Sequence, residues 1–381
     1  MPTAPITLDA LRRYAIARTL FAPTSLSAAI ERLGFVQADP IRAPARAQDL
    51  TLRHRVKNYR AGDLERRYAA LDVEEEFFVN YGFLPRATQA LMHPRTPRAA
   101  WSKTRAAQAL EVLAFVQQRG VAHPREVDAH FAHGRVRNWF GGASNASTQL
   151  LDDMHYRGLL RIAARAGGVR TYAVAEHLPQ RTANPDLAMD ALVDVIVHKY
   201  APLPERSLRE LIAMLRGGAP QWEGQRPAAF ARAKTRLPNT MLDGITWYWP
   251  QGESPVARRY GAKRYGGYAG YAGNAGHAAA QHDTVRLLAP FDPVVWDRRR
   301  FDLFWGWAYR FEAYTPATKR IRGYYALPLL WRDQVLGWGN LAVKDGKLQT
   351  GLGYVTGKAP RDKAFRTALD EELARMENFL R

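Results

Sequence analysis

The chain contains no cysteine among its 381 residues. A thiolate nucleophile, a disulfide framework and a zinc site with sulfur ligands are therefore all excluded. No stretch approaches the roughly 18 uninterrupted apolar residues that a membrane-spanning helix needs. The N-terminus also lacks the basic start and apolar run of a signal peptide, so we expect a soluble cytoplasmic protein.

Common catalytic signatures are equally absent. The sequence has no G-x-S-x-G, no P-loop, no G-x-G-x-x-G that opens a helix and no H-E-x-x-H. The ten histidines are scattered, and the closest group, His123, His130 and His133, does not have the spacing of a metal site. We therefore expect neither a metal nor a cofactor.

What the sequence has in excess is positive charge. Lys and Arg number 55 against 36 Asp and Glu, which gives a net charge of +19 and a pI of about 10.2. Because the excess is spread along the chain and not gathered in a tail, it predicts a folded surface that follows a polyanion, in particular nucleic acid. The alternative is an arginine-rich genomic composition, which raises the pI without any partner.

The order of predicted elements between residues 105 and 175 indicates a known motif. Three helices followed by a hairpin make a winged helix-turn-helix, whose third helix is in the recognition position. Residues 186–250 repeat this order less clearly, and residues 1–100 repeat it in degenerate form. The predicted elements of the clearest unit are helices over Arg105–Arg119, Pro124–Phe131 and Ser144–Tyr156 and a hairpin that turns at Gly167-Gly168.

The composition changes twice towards the C-terminus. Residues 253–282 are rich in Gly, Ala and Tyr, which predicts a linker or mobile loop. Residues 283–357 contain β-prone, aromatic-rich runs, WAYRFEAYTP (307–316) among them, and predict a small barrel or curled sheet. A closing helix is predicted over residues 361–380, and its apolar face consists of Phe365, Leu369, Leu373 and Met376.

Together these observations predict an α+β protein. Its expected parts are three tandem winged helix-turn-helix units, a small C-terminal β-barrel and a closing helix. A chain of this length has room for two to four such modules. The predicted boundaries are 1–100, 101–180 and 181–252 for the three units, 253–282 for the linker and 283–381 for the barrel with its helix.

One short segment, FVQADP at residues 35–40, has side chains suited to chemistry. In an extended strand, residues two apart project to the same side, so Gln37 and Asp39 would face one point while Val36 and Ala38 face the core. An amide and a carboxylate can together hold and polarise a water molecule. The alternative is an ordinary polar turn before the proline.

Three longer blocks resemble a known family: LLAPFDPVVWDRRR (287–300), YRFEAYTPATKR (309–320) and GYYALPLLW (323–331). They are similar to the C-terminal β-domain of the AlkZ/YcaQ family of DNA glycosylases, also described as winged helix DNA-binding domain-containing proteins of the HTH_42 type. GFVQAD (34–39) falls where that family has its Gln-apolar-Gln or Gln-apolar-Asp motif. The resemblance covers essentially the whole chain.

The resemblance implies three winged helices and a β-barrel arranged around duplex DNA. It also implies hydrolysis of the N-glycosidic bond of alkylated purines, notably N7-alkylguanine, and in some members the unhooking of interstrand crosslinks. Carried onto this chain, Gln37 and Asp39 would be catalytic and would hold the attacking water. The sequence departs from the family at residues 77–85, where Asn80 stands near a family histidine, and at Asn340, where members tend to have an acidic residue. Asn80 is thus an expected neighbour of the site.

The expected partner is double-stranded DNA with alkylation damage, and the protein is expected to be nucleoid-associated. We expect a monomer, because the sequence shows no coiled coil or dimer helix. A non-enzymatic regulator or a damage-binding scaffold is the alternative function, since either would share the fold and the charge. For Arg298–Arg300 the alternative to a phosphate contact is a solvated turn after Trp296. The candidates for contacts with DNA are Arg42, Arg46, Arg53, Arg298, Arg299, Arg300, Lys319, Arg320 and Tyr324.

Overall fold

A computed structural model describes residues 5–96, 99–137, 142–175, 184–256 and 283–381. Within these ranges the protein is a mixture of α-helices and antiparallel β-sheets, as the sequence predicted. None of the helices so described is long and apolar enough to cross a membrane.

The first part of the chain, residues 5–96, contains a three-stranded antiparallel sheet. Its elements are α1 (Leu8–Thr19), α2 (Leu26–Leu33), β1 (Val36–Gln37), α3 (Ala47–Leu52), α4 (Asp63–Arg67), β2 (Val73–Phe77), β3 (Tyr81–Pro85) and α5 (Arg86–Ala90). The Thr7 and Ser25 hydroxyls accept N–H bonds from the first turns of α1 and α2. Gly34 ends α2 with a φ of +67°, which brings the chain directly into β1.

Residues 99–175 follow the predicted order of three helices and a hairpin. Their elements are α6 (Lys103–Arg119), α7 (Pro124–Phe131), β4 (Arg135–Arg137), β5 (Ala143–Asn145), α8 (Ala146–Tyr156), β6 (Leu160–Ala166) and β7 (Val169–Val174). The hairpin turns at Gly167 and Gly168, which have φ values of +57° and +84°. The short pair β4–β5 ahead of α8 was not predicted.

Residues 184–256 show the same order again. Their elements are α9 (Pro185–Tyr200), β8 (Leu203–Pro204), α10 (Glu205–Gly218), α11 (Arg226–Arg236), β9 (Asn239–Leu242) and β10 (Ile245–Tyr248). The predicted linker begins at Glu253, but this residue is held in place because its carboxylate accepts hydrogen bonds from Arg18 at 2.7 and 2.8 Å. Residues 257–282 of the predicted linker lie outside the described residues.

The C-terminal part, residues 283–381, departs from the prediction of a closed barrel. Its elements are β11 (Val285–Leu287), α12 (Pro293–Trp296), α13 (Arg298–Trp305), β12 (Leu327–Trp331), β13 (Gln334–Lys344), β14 (Lys347–Tyr354) and α14 (Lys363–Leu380). The strands form an antiparallel sheet in the order β11-β12-β13-β14. Among the described residues β11 pairs only with β12 and β14 only with β13, so the sheet is open.

The run WAYRFEAYTP, predicted as a strand, instead belongs to a long segment between α13 and β12. The Glu312 carboxylate accepts backbone N–H bonds from Ile321, Arg322 and Gly323 at 2.7–3.3 Å. Those donors are therefore unavailable to a strand ladder. The closing helix α14 does match its prediction, since Phe365, Leu369 and Met376 are buried and Leu373 packs against the same core; these are its predicted apolar positions.

A fully buried ion pair joins the first and last parts of the chain. The side chains of Arg55 and Asp292 are both 0% exposed, and the guanidinium donates to the two carboxylate oxygens at 2.7 and 3.0 Å. It also donates to the carbonyls of Thr19 and Thr51 at 2.7 and 2.6 Å. A buried pair needs such complete hydrogen bonding to offset its desolvation. The pair fixes residues 283–381 against the first unit.

Three consecutive glutamates of β2 join the first two units. Glu74, Glu75 and Glu76 are each at most 2% exposed. Burial alone would raise the pKa of Glu76, but the charge of Arg95 and the hydrogen bond from His93 hold that pKa well below its ordinary value. The arginines that pair with the three carboxylates are Arg86, Arg161, Arg165, Arg170 and Arg95.

His198, on α9, is held as a neutral imidazole. Its Nδ1 accepts a hydrogen bond from Arg18 Nη2 at 2.9 Å, and its Nε2–H donates to the Arg32 carbonyl at 3.1 Å. Burial, together with the charge of Arg18, lowers the pKa of His198 to about 3. Burial also lowers the pKa of His54 and of His93. Protonation of these rings therefore opposes folding.

Acid is expected to destabilise the protein as soon as the pH falls below about 6.5, the ordinary histidine pKa. Below this pH the unfolded chain binds protons that the folded chain does not, so the free energy of unfolding falls by about 1.4 kcal/mol per pH unit for each buried histidine. Urea unfolding at about pH 7.5, 6 and 5 measures this slope. His198→Gln should make the slope shallower, and a slope equal to that of the wild type would contradict the assignment.

Candidate active site

The strand β1 and its partner β3 set the position of Gln37. Gln37 is paired with Gly82, and the Ala38 N–H continues the ladder to the Tyr81 carbonyl at 2.9 Å. Gly82 permits this close approach, because a Cβ there would meet the Val36 carbonyl and come within 2.7–2.8 Å of the Phe35 ring. Since Val36 is fully buried, the neighbouring Gln37 is directed to the opposite, partly exposed side.

The Gln37 amide is held in one orientation. Its Oε1 accepts a hydrogen bond from Trp296 Nε1 at 2.8 Å and a longer one from Asn80 Nδ2 at 3.4 Å. An indole N–H can only donate, so the oxygen of the amide must be the atom that faces Trp296. The Nε2 group then points away, and among the described residues it has no acceptor and is not sealed from solvent. The amide therefore presents N–H donors.

Asp39 follows β1 and is 9% exposed. One carboxylate oxygen, Oδ1, accepts the Ile41 N–H at 2.9 Å, and the Asp39 N–H donates to Gln48 Oε1 at 3.3 Å. Burial raises the pKa of Asp39, and the Ile41 N–H opposes this only in part. Within the described residues Oδ2 accepts no hydrogen bond and is not sealed, so the carboxylate has one open acceptor.

The C-terminal part contributes two aromatic residues to this site. Trp296, at the end of α12, stacks obliquely on Tyr200 with ring centroids 4.9 Å apart. Tyr325 is 2% exposed, and its hydroxyl has no hydrogen-bond partner among the described residues. Burial raises the pKa of Tyr325, and the charge of Asp39 adds to this shift. The site is thus assembled from the two ends of the chain.

Comparison with known proteins now identifies the family. Residues 30–379 match the family model described as DNA glycosylase AlkZ-like. The chain belongs to the AlkZ-like DNA glycosylase family. Among solved structures, the Streptomyces sahachiroi DNA glycosylase AlkZ has a similar fold, with a TM-score of 0.57 over 99% of this chain and 97% of that one at 14% sequence identity. The family resemblance in the sequence is confirmed, and DNA is the partner that the family implies.

Several of the arginines predicted to bind DNA have other partners in this AlkZ-like glycosylase. Arg53 forms a buried ion pair with Glu372, and Arg300 is 0% exposed and donates to the carbonyls of Tyr200 and Pro202. Neither side chain can reach a phosphate, so a contact with DNA is not supported for these two. The same burial excludes a solvated turn at Arg300.

The other residues predicted to contact DNA are exposed to solvent to different degrees. Arg46 pairs with Glu65, and Arg299 donates to Glu210 at 3.3 Å while staying partly exposed. Arg298 has no carboxylate partner among the described residues; it donates to the Val295 carbonyl at 2.6 Å and lies 4.4 Å from the centre of the Tyr309 ring. The candidates that stay exposed or partly exposed without a carboxylate partner in the described ranges are Arg42, Arg298, Lys319, Arg320 and Tyr324.

Sequence patterns did not predict the contact of Trp296 with the Gln-x-Asp segment. Gln37 and Trp296 are 259 positions apart, and nothing local in either segment indicates that they meet. Asn80, predicted as a neighbour of the site, donates to Gln37 Oε1 at 3.4 Å. The one available signal was the long block at 287–300 that carries the family resemblance and contains Trp296.

Gly82→Ala is expected to distort β1 and lower stability by about 1–3 kcal/mol, because the new methyl group must displace the Val36 carbonyl or the Phe35 ring. Gly351→Ala, in β14, is the matched control, since the nearest atom to its added Cβ lies at 3.9 Å. Urea unfolding of both variants measures the difference. Equal stabilities would show that the close approach at Gly82 does not constrain β1.

Proposed function

We propose that this protein is a DNA repair glycosylase that hydrolyses the N-glycosidic bond of alkylated purines of the N7-alkylguanine type. The observations that carry the proposal are the Gln37 amide, whose oxygen is fixed by Trp296, and the open carboxylate oxygen of Asp39 two residues later. The family match and the net charge of +19 support DNA as the substrate. We include interstrand crosslinks among the lesions proposed.

The proposed chemistry fits the two side chains. The purine ring of N7-alkylguanine already carries positive charge, so the C1′–N9 bond can break with its electron pair on N9 and without a general acid. The water oxygen forms the new bond to C1′, and its proton passes to Asp39. What the protein must supply is negative charge near an oxocarbenium-like sugar and an aligned water molecule. An anion and a fixed amide are suited to these tasks.

The hydrogen bonds of Gln37 determine which role it and Asp39 can each take in the proposed reaction. Because Gln37 Oε1 is occupied by Trp296 and Asn80, the amide can act only through its Nε2 donors, which would hold the water through its oxygen. The amide then cannot take up the water proton. Asp39 must be the proton acceptor, and the burial that raises its pKa makes it a stronger base.

The finer architecture belongs to the same proposal. We propose that the three helix–hairpin units are winged helices that surround duplex DNA, and that the protein acts in the cytoplasm as a monomer. Arg298, without a carboxylate partner in the described ranges, would bind a phosphate next to the damaged nucleotide. Its α13 directly follows Trp296, so such a contact would lie close to Gln37.

Gln37→Ala and Asp39→Asn should both lose most base release from a duplex with a single N7-methylguanine. We expect a loss of about 10²-fold or more for Asp39→Asn, because the proton acceptor is removed, and about 10–10²-fold for Gln37→Ala. Single-turnover release measures the rate, and the affinity for the same duplex should remain within about twofold.

Undiminished cleavage by both variants would disprove the catalytic assignment. A protein that protects one DNA sequence from nuclease digestion and ignores the lesion would instead be a regulator. Unchanged binding together with no release even by the wild type would indicate a scaffold that recognises damage.

Trp296→Phe should reduce base release about five- to tenfold at unchanged DNA affinity, because the aromatic packing on Tyr200 is kept while the hydrogen bond to Gln37 is lost. Trp296 acts through Gln37, so the substitution should have no further effect in a Gln37→Ala background. Trp305→Phe is the matched control, since it removes a similar indole bond, to the Asp333 carbonyl at 2.9 Å.

The double-mutant cycle distinguishes positioning from general damage to the fold. A merely structural Trp296 would give the same loss with and without Gln37, and Trp305→Phe would then reduce release as well. Either result would overturn the positioning role.

A further inference from the structure

The segment 306–326, between α13 and β12, exposes large apolar side chains to solvent. Tyr314 is 81% exposed, Ile321 is 75% exposed and Tyr324 is 44% exposed. Ile321 and Tyr324 are three positions apart and Tyr314 precedes Ile321 by seven, whereas single exposed apolar residues scattered over a surface need no explanation. Their concentration here indicates a surface that contacts a partner.

The backbone that carries Ile321 is firmly held. Glu312 is 5% exposed and accepts N–H bonds from Ile321, Arg322 and Gly323, the shortest at 2.7 Å. Asn340 Nδ2 donates to the Arg322 carbonyl at 2.6 Å. Gly323 has a φ of +113°, and a side chain there would collide with Asn340. The exposed side chains are therefore presented by a fixed turn.

The base of the segment is connected to the candidate site. The Tyr309 hydroxyl donates to the Ala326 carbonyl at 2.7 Å, and its ring lies beneath the Arg298 guanidinium, two residues beyond the Trp296 that holds Gln37. On the other side, Phe311 packs against the ring of Tyr325 with centroids 5.3 Å apart. The segment thus begins at the wall of the site and extends from it into solvent.

The charge of the segment indicates which partner fits. Its single acidic residue, Glu312, is buried, and backbone donors bind its carboxylate, so the acidic group is not presented at the surface. The basic residues of the segment that are exposed or partly exposed are Arg310, Lys319 and Arg320, whereas Arg322 packs on the rings of Trp307 and Trp338. Exposed apolar side chains flanked by cations match the chemistry of DNA. The phosphates of DNA lie on its outside, and apolar sugar and base surfaces line its grooves.

We propose that residues 306–326 form a DNA-contacting wedge in which Ile321 and Tyr324 enter the groove beside the damaged nucleotide. The inference rests on the proposed function, which it extends by assigning the element that contacts the duplex next to the site. Insertion of an apolar side chain loosens the stacking of the neighbouring bases and would bring the damaged sugar within reach of the site. Lys319 and its basic neighbours bind the adjacent phosphates.

The test uses a duplex with a tetrahydrofuran abasic analogue and 2-aminopurine as the next base, so that no bond cleavage is required. Wild-type protein should raise the 2-aminopurine fluorescence at least about threefold, because unstacking relieves quenching. Ile321→Ala with Tyr324→Ala should remove most of that rise and weaken binding about tenfold, while the salt dependence of binding stays the same because no cation is lost. Leu110→Ala is the control, since Leu110 is 69% exposed on α6.

Lys319→Ala should have the converse effect. The salt dependence of DNA binding should fall by the equivalent of about one phosphate contact, while the fluorescence rise should remain. A double variant that binds this duplex and unstacks it like the wild type would overturn the proposal and leave the apolar surface to a protein partner. The test measures binding and fluorescence and not bond cleavage. Its result therefore does not depend on whether Gln37 and Asp39 are catalytic. Failure of base release alone would count against the proposed function only.

Discussion

The fully buried pair of Arg55 and Asp292 is the interaction on which the candidate site depends. Asp292 also caps the first turn of α12, because its Oδ1 accepts the Val294 N–H at 3.0 Å. That short helix ends at Trp296, which donates to Gln37. Removal of one partner of such a pair leaves an unpaired buried charge and costs about 3–5 kcal/mol. The pair therefore acts on the site through geometry, since it holds Trp296 at the correct distance from an amide at the other end of the chain.

Much of the positive charge in the sequence is used inside the molecule. The glutamates at 74–76 bind arginines from the first two units, and Arg53, Arg55 and Arg300 are buried among carboxylates or carbonyls. Net charge is thus a weak guide to the surface that meets DNA. A cation without a carboxylate partner in the described ranges, such as Arg298, is a better candidate for a DNA contact than net charge alone can identify.

The local features of the fold could be predicted from the sequence, and the long-range ones could not. Caps such as Thr7 and Ser25 and the turn at Gly167-Gly168 act within a few residues, so their signals lie in the sequence itself. The loop conformation of residues 307–316 was missed because the carboxylate of Glu312 binds backbone donors nine to eleven residues later, which no alternation pattern indicates. The position of Gln37 could be proposed from the sequence, but its orientation depends on a contact 259 positions away.

The orientation of Gln37 limits which of the two motif residues can accept a proton. A Gln-apolar-Gln motif offers two amides, neither of which can accept a proton at neutral pH, whereas the Asp version in this chain contains a base. Because the Trp296 indole can only donate, it occupies the Gln37 oxygen, and in the proposed mechanism Asp39 is left as the proton acceptor. The pKa of Asp39, raised by burial, suits that role as long as Oδ2 stays open to water. In the proposed mechanism the role of the second motif residue therefore follows from a hydrogen bond to the first.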